Sequence, residues 1–325
     1  MIDRSSTFSN AEVIRLLSEE FVPATDNDWY NRRREDAAGK FFRKVAEQGP
    51  RGGGSGTQQG HYILTASGKL LGFNNNRSLE RRMAFIREAL AKWEKLPADE
   101  KRPGAIEVRP LNASEFDARY HAAPPAGGVV LVASARMLKE SGGTLQACSA
   151  DDHQLGRGHL AAVDRMWIRE AEWKELLETG AEGGPVSDRL ALRLLRYHLV
   201  DFTRGEPSFW ERTEIRSQSL RIEPGAKAGS FELSGSAKMA TADGKRGFEP
   251  SLFGKVEIGA GGQLLRCDLI AVGDHWGEGA YTGPARPGRT PLGIAFRLAD
   301  PDSRADRLRP QASHWLQAYW EAERH

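Results

Sequence analysis

Cysteine is the scarcest chemistry in this chain. Cys148 and Cys267 are the only two in 325 residues, far apart and without CxxC spacing. That excludes a disulfide scaffold and gives no zinc-ligand pattern. Long hydrophobic runs are missing as well, and no stretch approaches the ~20 apolar residues that cross a bilayer. Nor is there an excess of charge of one sign: 46 basic residues face 44 acidic ones, a net charge of +2. Nucleic-acid and anionic-membrane binders usually carry a basic surplus on one face, so neither partner is expected. The one basic run, Arg32-Arg33-Arg34, is followed at once by Glu35 and Asp36 and reads as a solvated helix face. Met1 to Ser6 contains no apolar segment of a secretory signal, which makes a cytoplasmic location the expectation.

Hydrophobic residues at 39% and charged residues at 28% are enough for an ordinary globular core. The length suggests two domains of roughly 100–200 residues each. Val13, Leu16, Leu17 and Phe21 recur at helical spacing behind Ser9 and Asn10, either of which can cap a helix. Phe21 to Asp26 reads as a short strand, and Asp28 to Gln48 as a second helix. Gly49 to Gly56 is a loop. His61 to Thr65 and Lys69 to Phe73 flank Ala66-Ser67-Gly68 and predict a β-hairpin. A helix follows from Ser78 to Leu96, with Leu79, Met83, Ile86, Leu90 and Trp93 on one stripe.

The stretches from Ser9 to Pro23 and from Tyr62 to Gly72 resemble thioredoxin-like domains, as the first helix and strand and the closing hairpin. The resemblance covers residues 1–102 and implies a sheet of about four strands, with the segments near Phe21 and Tyr62 side by side. It does not carry the activity over. Ser5-Ser6-Thr7-Phe8-Ser9 stands where redox-active members have CxxC, and Gly60-His61-Tyr62 where they have a cis-proline. A serine hydroxyl cannot replace a thiolate of lowered pKa.

Residues 103–184 are expected to link to, or belong to, the second domain. Ile106 to Val108 and Val129 to Ala133 predict strands, and Glu170 to Glu178 a helix. A helix capped by Ser187 begins the last region, 185–325, with Leu190, Leu194, Leu195, His198 and Leu199 along it. Beyond Pro207 the pattern alternates with period two. Phe231, Leu233 and Gly235 share a face, as do Leu252, Gly254, Val256 and Ile258. Leu265, Cys267, Leu269 and Ala271 do likewise, then Leu292, Ile294, Phe296 and Leu298. Such runs predict an antiparallel meander of five or six strands, curled or barrel-like, with an amphipathic tail from Ala312 to Glu323. The fold class expected is α+β: a thioredoxin-like α/β domain followed by an antiparallel β domain with flanking helices.

The candidate sites are few. Gly273-Asp274-His275-Trp276-Gly277-Glu278-Gly279 follows the best strand, and parity turns His275 inward with Cys267 and Leu269. Asp274 or Glu278 could orient the imidazole, as an acid–base pair or a ligand contact requires. The alternative is a plug of the barrel end. Gln59, His61 and Tyr62, with Gln58, occupy the place where thioredoxin folds present backbone to substrates. Asp152, His153 and His159 are the weak metal candidates, in a loop without standard ligand spacing. Cys267 reads as a buried inert thiol, Cys148 as more exposed and without a basic neighbour, and His198 as a core histidine. Gly52 to Gly56 lacks the Gly-Lys-Ser/Thr ending of a phosphate loop. No cofactor is expected. A non-redox binding or accessory protein for a small molecule or peptide is the leading reading. The alternatives are a hydrolytic or metal-assisted enzyme around His275 and a thiol oxidoreductase using Cys148. Oligomeric state is left open.

Overall fold

The computed structural model describes all residues except 1–7, 9, 27, 54–55, 77, 103–122, 150–151, 153–160, 304, 315 and 323–325. Described residues up to 102 form one compact unit and those from 123 onward a second. The expected strand at Ile106 to Val108 lies outside the described residues.

In the first unit, α1 (Ala11–Glu20) is capped by Asn10, whose Oδ1 accepts from the Glu12 and Val13 amides at 3.0 and 3.2 Å. The stretch expected as one helix divides into α2 (Asp28–Asn31) and α3 (Ala37–Ala46). Asp36 causes the break: its side chain caps α3 through the Gly39 amide, the role aspartate prefers over a helix interior. Arg43 then donates to the Arg34 carbonyl at 2.6 Å. The hairpin forms as expected from β1 (His61–Leu64) and β2 (Leu70–Asn74). Helix α4 (Leu79–Glu94), capped by Ser78, completes the unit. Ile63, Leu71, Phe85, Ile86 and Ala89 make its small core, with Leu16, Leu17 and Phe21 packed on them.

Residues 21–26 do not form the expected strand. Phe21 is extended, but Val22 is 96% exposed and the segment joins no ladder. Pro23 offers no amide to a neighbouring strand. Among the described residues the sheet of this unit has two strands, not four.

The second unit is built on a ten-stranded sheet. In chain order come β3 (Val129–Ser141), β4 (Thr144–Ala147), β5 (Ala161–Ile168), α5 (Glu170–Glu182), β6 (Gly184–Pro185) and α6 (Asp188–Arg193). A π-helical turn at Leu194–His198 continues α6, and β7 (Gly205–Glu206) follows. Then come β8 (Ile215–Gln218), β9 (Arg221–Pro224), β10 (Ser230–Ala240), β11 (Gly247–Ile258) and β12 (Leu264–Trp276). The last elements are β13 (Tyr281–Thr282), β14 (Thr290–Leu298) and α7 (Leu316–Glu321). Spatial order is β4-β3-β14-β12-β11-β10-β9-β6, with β5 beside β3 and β8 beside β10; β7 and β13 pair separately. Strands β10, β11, β12 and β14 are the expected antiparallel meander. No ladder closes it into a barrel among the described residues.

Ser187 occupies the N-cap position of α6, but its side chain makes no capping bond. One sheet face is sealed by α5 and α6, as a half-buried antiparallel sheet requires. Across it run Ala135, Ile294, Ala271 and Leu252 in register, each at most 1% exposed. Gly180 lets α5 approach closely, since a Cβ there would lie 2.7 Å from Phe231. Leu265 departs from the expected parity and is 59% exposed. Glu257 pairs with Arg266 and Ile258 with Leu264, so Leu265 is the extra residue of a bulge and turns outward.

Candidate functional site

The chain from Arg193 to Gly205 is buried throughout, although it carries Arg193, Arg196, His198, Asp201 and Arg204. Charged groups are rarely buried unless paired, and each end of this segment holds a different polar cluster.

The first cluster anchors α7. Arg193 forks onto Glu172 at 2.6 and 2.5 Å and donates to the Tyr319 and Trp320 carbonyls. Arg196 donates to the Ala322 carbonyl and to that of Trp210. Cations on the last carbonyls of a helix satisfy groups the helix itself leaves open. His198 is fully buried; its Nε2 lies 3.0 Å from the Tyr319 hydroxyl, in keeping with a core histidine. Its Nδ1 stands 3.6 Å from Asp164.

The second cluster lies at the other end, where β12 leaves the core. His275 is on the buried face, in the row that pairs Thr290, His275 and Phe248. The expected parity therefore holds. Phe248 meets the imidazole edge-on at 6.0 Å. No hydrogen bond to a ring nitrogen of His275 forms among the described residues, although the residue is only 7% exposed. Asp201 accepts from Thr203 Oγ1 at 2.6 Å and from Arg204 Nε at 2.6 Å. Arg204 uses its other two nitrogens on the Gly283 and Gly277 carbonyls. Arg246 lies over the Trp210 ring at 4.0 Å, a cation–π contact, and donates to the Ser208 carbonyl. Arg286 donates to the Leu138 and Pro291 carbonyls. The loop after β12 is thus held by Arg204 and by its own Arg286, and Gly277 (φ 75°) makes its first turn, where a Cβ would strike the Lys245 carbonyl.

Burial pushes the His275 imidazole down to about 4. Asp201 partly opposes this, while Arg204, Arg246 and Arg286 reinforce it. Burial pushes Asp201 up, but the His275 and Arg204 charges and the Thr203 and Arg204 hydrogen bonds outweigh it and hold the carboxyl below its ordinary value.

The other residues expected around His275 do not join it. Strand alternation places Asp274 and Trp276 on the opposite face. Trp276 donates to the Gly244 carbonyl and lies under Arg289. Glu278 is exposed and accepts from the Ala285 amide. The carboxylate near His275 is instead Asp201, 74 positions away in the chain, with no local signal to find it by.

The hairpin candidates are spread apart. His61 and Tyr62 point to opposite sides of β1. His61 accepts from Arg82 and meets Phe8 edge-on. Tyr62 bonds to the Gln58 carbonyl and packs on Phe42 and Phe73. Burial and the nearby Asp28 charge push its phenol up to about 12. Gln59 is exposed, while the Gln58 side chain is buried.

Asp152 is engaged with Lys139 at 2.6 Å and with the Ser149 amide and hydroxyl, which hold it down at about 2. His153 and His159 lie outside the described residues, and no metal-ligating cluster occurs among the described ones.

Cys148 corrects the sequence reading on both counts. It is 4% exposed, because its amide bonds back to the Met137 carbonyl and folds the thiol inward. It also has a basic neighbour, Arg286, at 3.8 Å. Burial nonetheless keeps its thiol above the usual value and pushes Cys267 to about 12. Neither cysteine is expected to react with Ellman's reagent in the folded protein, whereas the guanidinium-unfolded chain should release two equivalents. Insulin reduction by dithiothreitol should stay at background. A fast-reacting thiol in the native state would contradict both expectations.

Two cavities are present elsewhere. One, about 580 Å³, is a groove on the uncovered sheet face, where Phe253 and Ile270 are 60% and 43% exposed. The other, about 50 Å³, is an apolar gap between that sheet and α5 and α6. His275 lines neither.

No family model, curated protein or solved structure matches this chain. Among the described residues no helix is long and apolar enough to cross a membrane.

Proposed function

We propose that the protein is a non-redox binding or accessory protein whose ligand reaches the β-rich unit where β12 leaves the core. A single observation carries this reading: His275 is buried, makes no side-chain hydrogen bond among the described residues, and feels the charges of Asp201, Arg204, Arg246 and Arg286. Buried polar groups are normally satisfied, and clusters of perturbed ionisable groups concentrate at functional sites. An enzyme at the same place is the weaker reading. An acid–base histidine works best with a pKa near the operating pH, and this one remains neutral down to about 4. The resemblance of the first unit to thioredoxin-like domains rests on element order, with α1, the β1–β2 hairpin and α4 as its support.

The reading requires that small molecules can reach the imidazole. Diethylpyrocarbonate should modify His275 in the native protein, mapped by mass spectrometry, while His198, at 0% exposure, stays unmodified. Modification of His275 only after unfolding would make it an end plug and remove the site.

A further inference from the structure

We infer that a second copy of this chain docks on the uncovered face of the ten-stranded sheet, about a two-fold axis running along the strands between β11 and β12. This goes beyond the ligand reading above and concerns the other side of the sheet. Helices α5 and α6 seal one face, and the opposite face holds the groove of about 580 Å³. Register aligns one row across that groove: Ser234 pairs with Phe253, Phe253 with Ile270, Ile270 with Ala295, and Ala295 with Ser134. All five are exposed, Phe253 by 60% and Ile270 by 43%. A solvated antiparallel face ordinarily carries polar side chains. Here two large apolar groups stand together at its centre, and the small side chains beside them leave hollows. Contiguous exposed apolar surface marks an interaction site.

The charges around this row identify the occupant. One step along the strands, Glu232 pairs with Lys255 and Lys255 with Asp268, and Arg297 stands on β14 two residues beyond Ala295. From β10 to β14 the signs therefore alternate: minus, plus, minus, plus. A further step along, Glu257 pairs with Arg266. A two-fold axis between β11 and β12 brings each β11 position over the paired β12 position of the second copy, and each β10 position over β14. Phe253 then meets Ile270 of the second copy, Lys255 meets Asp268, Glu257 meets Arg266 and Glu232 meets Arg297. Each contact sets apolar on apolar or plus on minus, and the symmetry makes each one twice. Such self-complementarity is what a two-fold interface requires. Arg266 and Arg297 also pair within their own chain. Lys255 and Glu232 form no ion pair among the described residues, so their charges stay open to a partner. At the far end Glu249 meets Asp274, a like pair that bounds the contact, although Lys238 and Arg289 already hold Glu249.

The size fits as well. From β5 to β9 the face spans seven strands. At ~4.8 Å between strands and ~3.4 Å per residue, seven strands by about seven residues cover roughly 800 Å², which is about what each partner gives to a stable interface. Two sheets that pack face to face interdigitate their inner side chains with nearly aligned strands, the arrangement this axis produces. An isologous contact of this kind closes at two copies and does not propagate.

The test is sedimentation equilibrium on the full chain. The wild type should show twice the mass of one chain in the micromolar range. Lys255→Glu sets carboxylate against carboxylate at two places, and Asp268→Lys sets ammonium against ammonium. Each should weaken the dimer by at least about a hundredfold, since like charges juxtaposed across an interface are strongly disfavoured. An equimolar mixture of the two variants should dimerise again, because every altered charge then meets its opposite. Phe253→Ser should also give a monomer, with a melting temperature nearly unchanged. A wild-type monomer up to the millimolar range overturns the inference, as does assembly beyond two copies. A dimer that all three variants leave intact overturns it too, by placing the contact on another surface. A mixture that stays monomeric while both variants keep the wild-type melting temperature rules out the two-fold arrangement. Should either charge variant unfold, Glu232→Lys mixed with Arg297→Glu makes the same comparison on the outer pair.

Discussion

Replacing Arg193 by methionine should cost about 3–5 kcal/mol, the usual loss when one partner of a buried ion pair is removed. Glu172 would then be left buried, and the Tyr319 and Trp320 carbonyls would lose their donors. Burial pushes the Glu172 carboxyl up, and the Arg193 hydrogen bonds and charge outweigh that to hold it below its ordinary value. The variant removes that compensation. For a unit of this size the melting temperature should fall by about 10 °C. Arg193→Lys should recover only part, because an ammonium cannot reproduce the fork. The double variant Arg193→Met/Glu172→Leu should be more stable than Arg193→Met alone, since no orphaned charge remains. Limited proteolysis should cut the tail beyond Pro310 faster in the single variant. A melting temperature within 2 °C of the wild type, or a double variant no better than the single, would show that the network does not anchor α7.

The second large effect is a loss of stability in mild acid. In the unfolded chain His275 has the ordinary histidine value of 6.5, and in the folded protein burial pushes it down to about 4. Between those values the unfolded state binds more protons, so stability falls as pH falls and is fully present above about 6.5. The shift corresponds to about 3 kcal/mol in all, of which about 2 kcal/mol is lost by pH 5. Asp201, whose folded pKa is lowered, acts only below the ordinary carboxylate range and leaves this window clear. Urea midpoints measured from pH 7.5 to 5 should drop by about 1 M, given ordinary m-values. His275→Gln, neutral throughout, should flatten most of that decline. An equally steep decline in the variant would assign the effect to another group.

Much of the fold can be read locally and much of the site cannot. Period-two runs mark β10, β11, β12 and β14 because one face of each strand meets the core. The same parity turns His275 inward. Local pattern fails where partners are distant. Nothing near Val129 says that β3 will pair with β14, some 160 residues later. Charged residues on a helical stretch ordinarily mean solvent, so Arg193, Arg196 and Arg204 give no hint that they are buried. Their partners are mostly backbone carbonyls, which every residue has. Phe21 to Asp26 fails for the opposite reason: its residues favour a strand, but Pro23 and an exposed Val22 leave it nothing to pair with.

The position of β14 between β12 and β3 has a consequence for synthesis. When β3, β4 and β5 emerge from the ribosome, the strand that joins them to the rest of the sheet lies far downstream. The long edge of β3 stays unpaired until residues 290–298 are translated. Pairings across such sequence separations form late, and open strand edges invite association with other chains in the meantime. The β-rich unit therefore cannot assemble vectorially from its N-terminal side. Its central meander must form first and recruit β14, and only then does β3 close onto it. A chain truncated before Thr290 would hold two sheet fragments with matching unpaired edges, a composition suited to aggregation and not to a smaller folded domain.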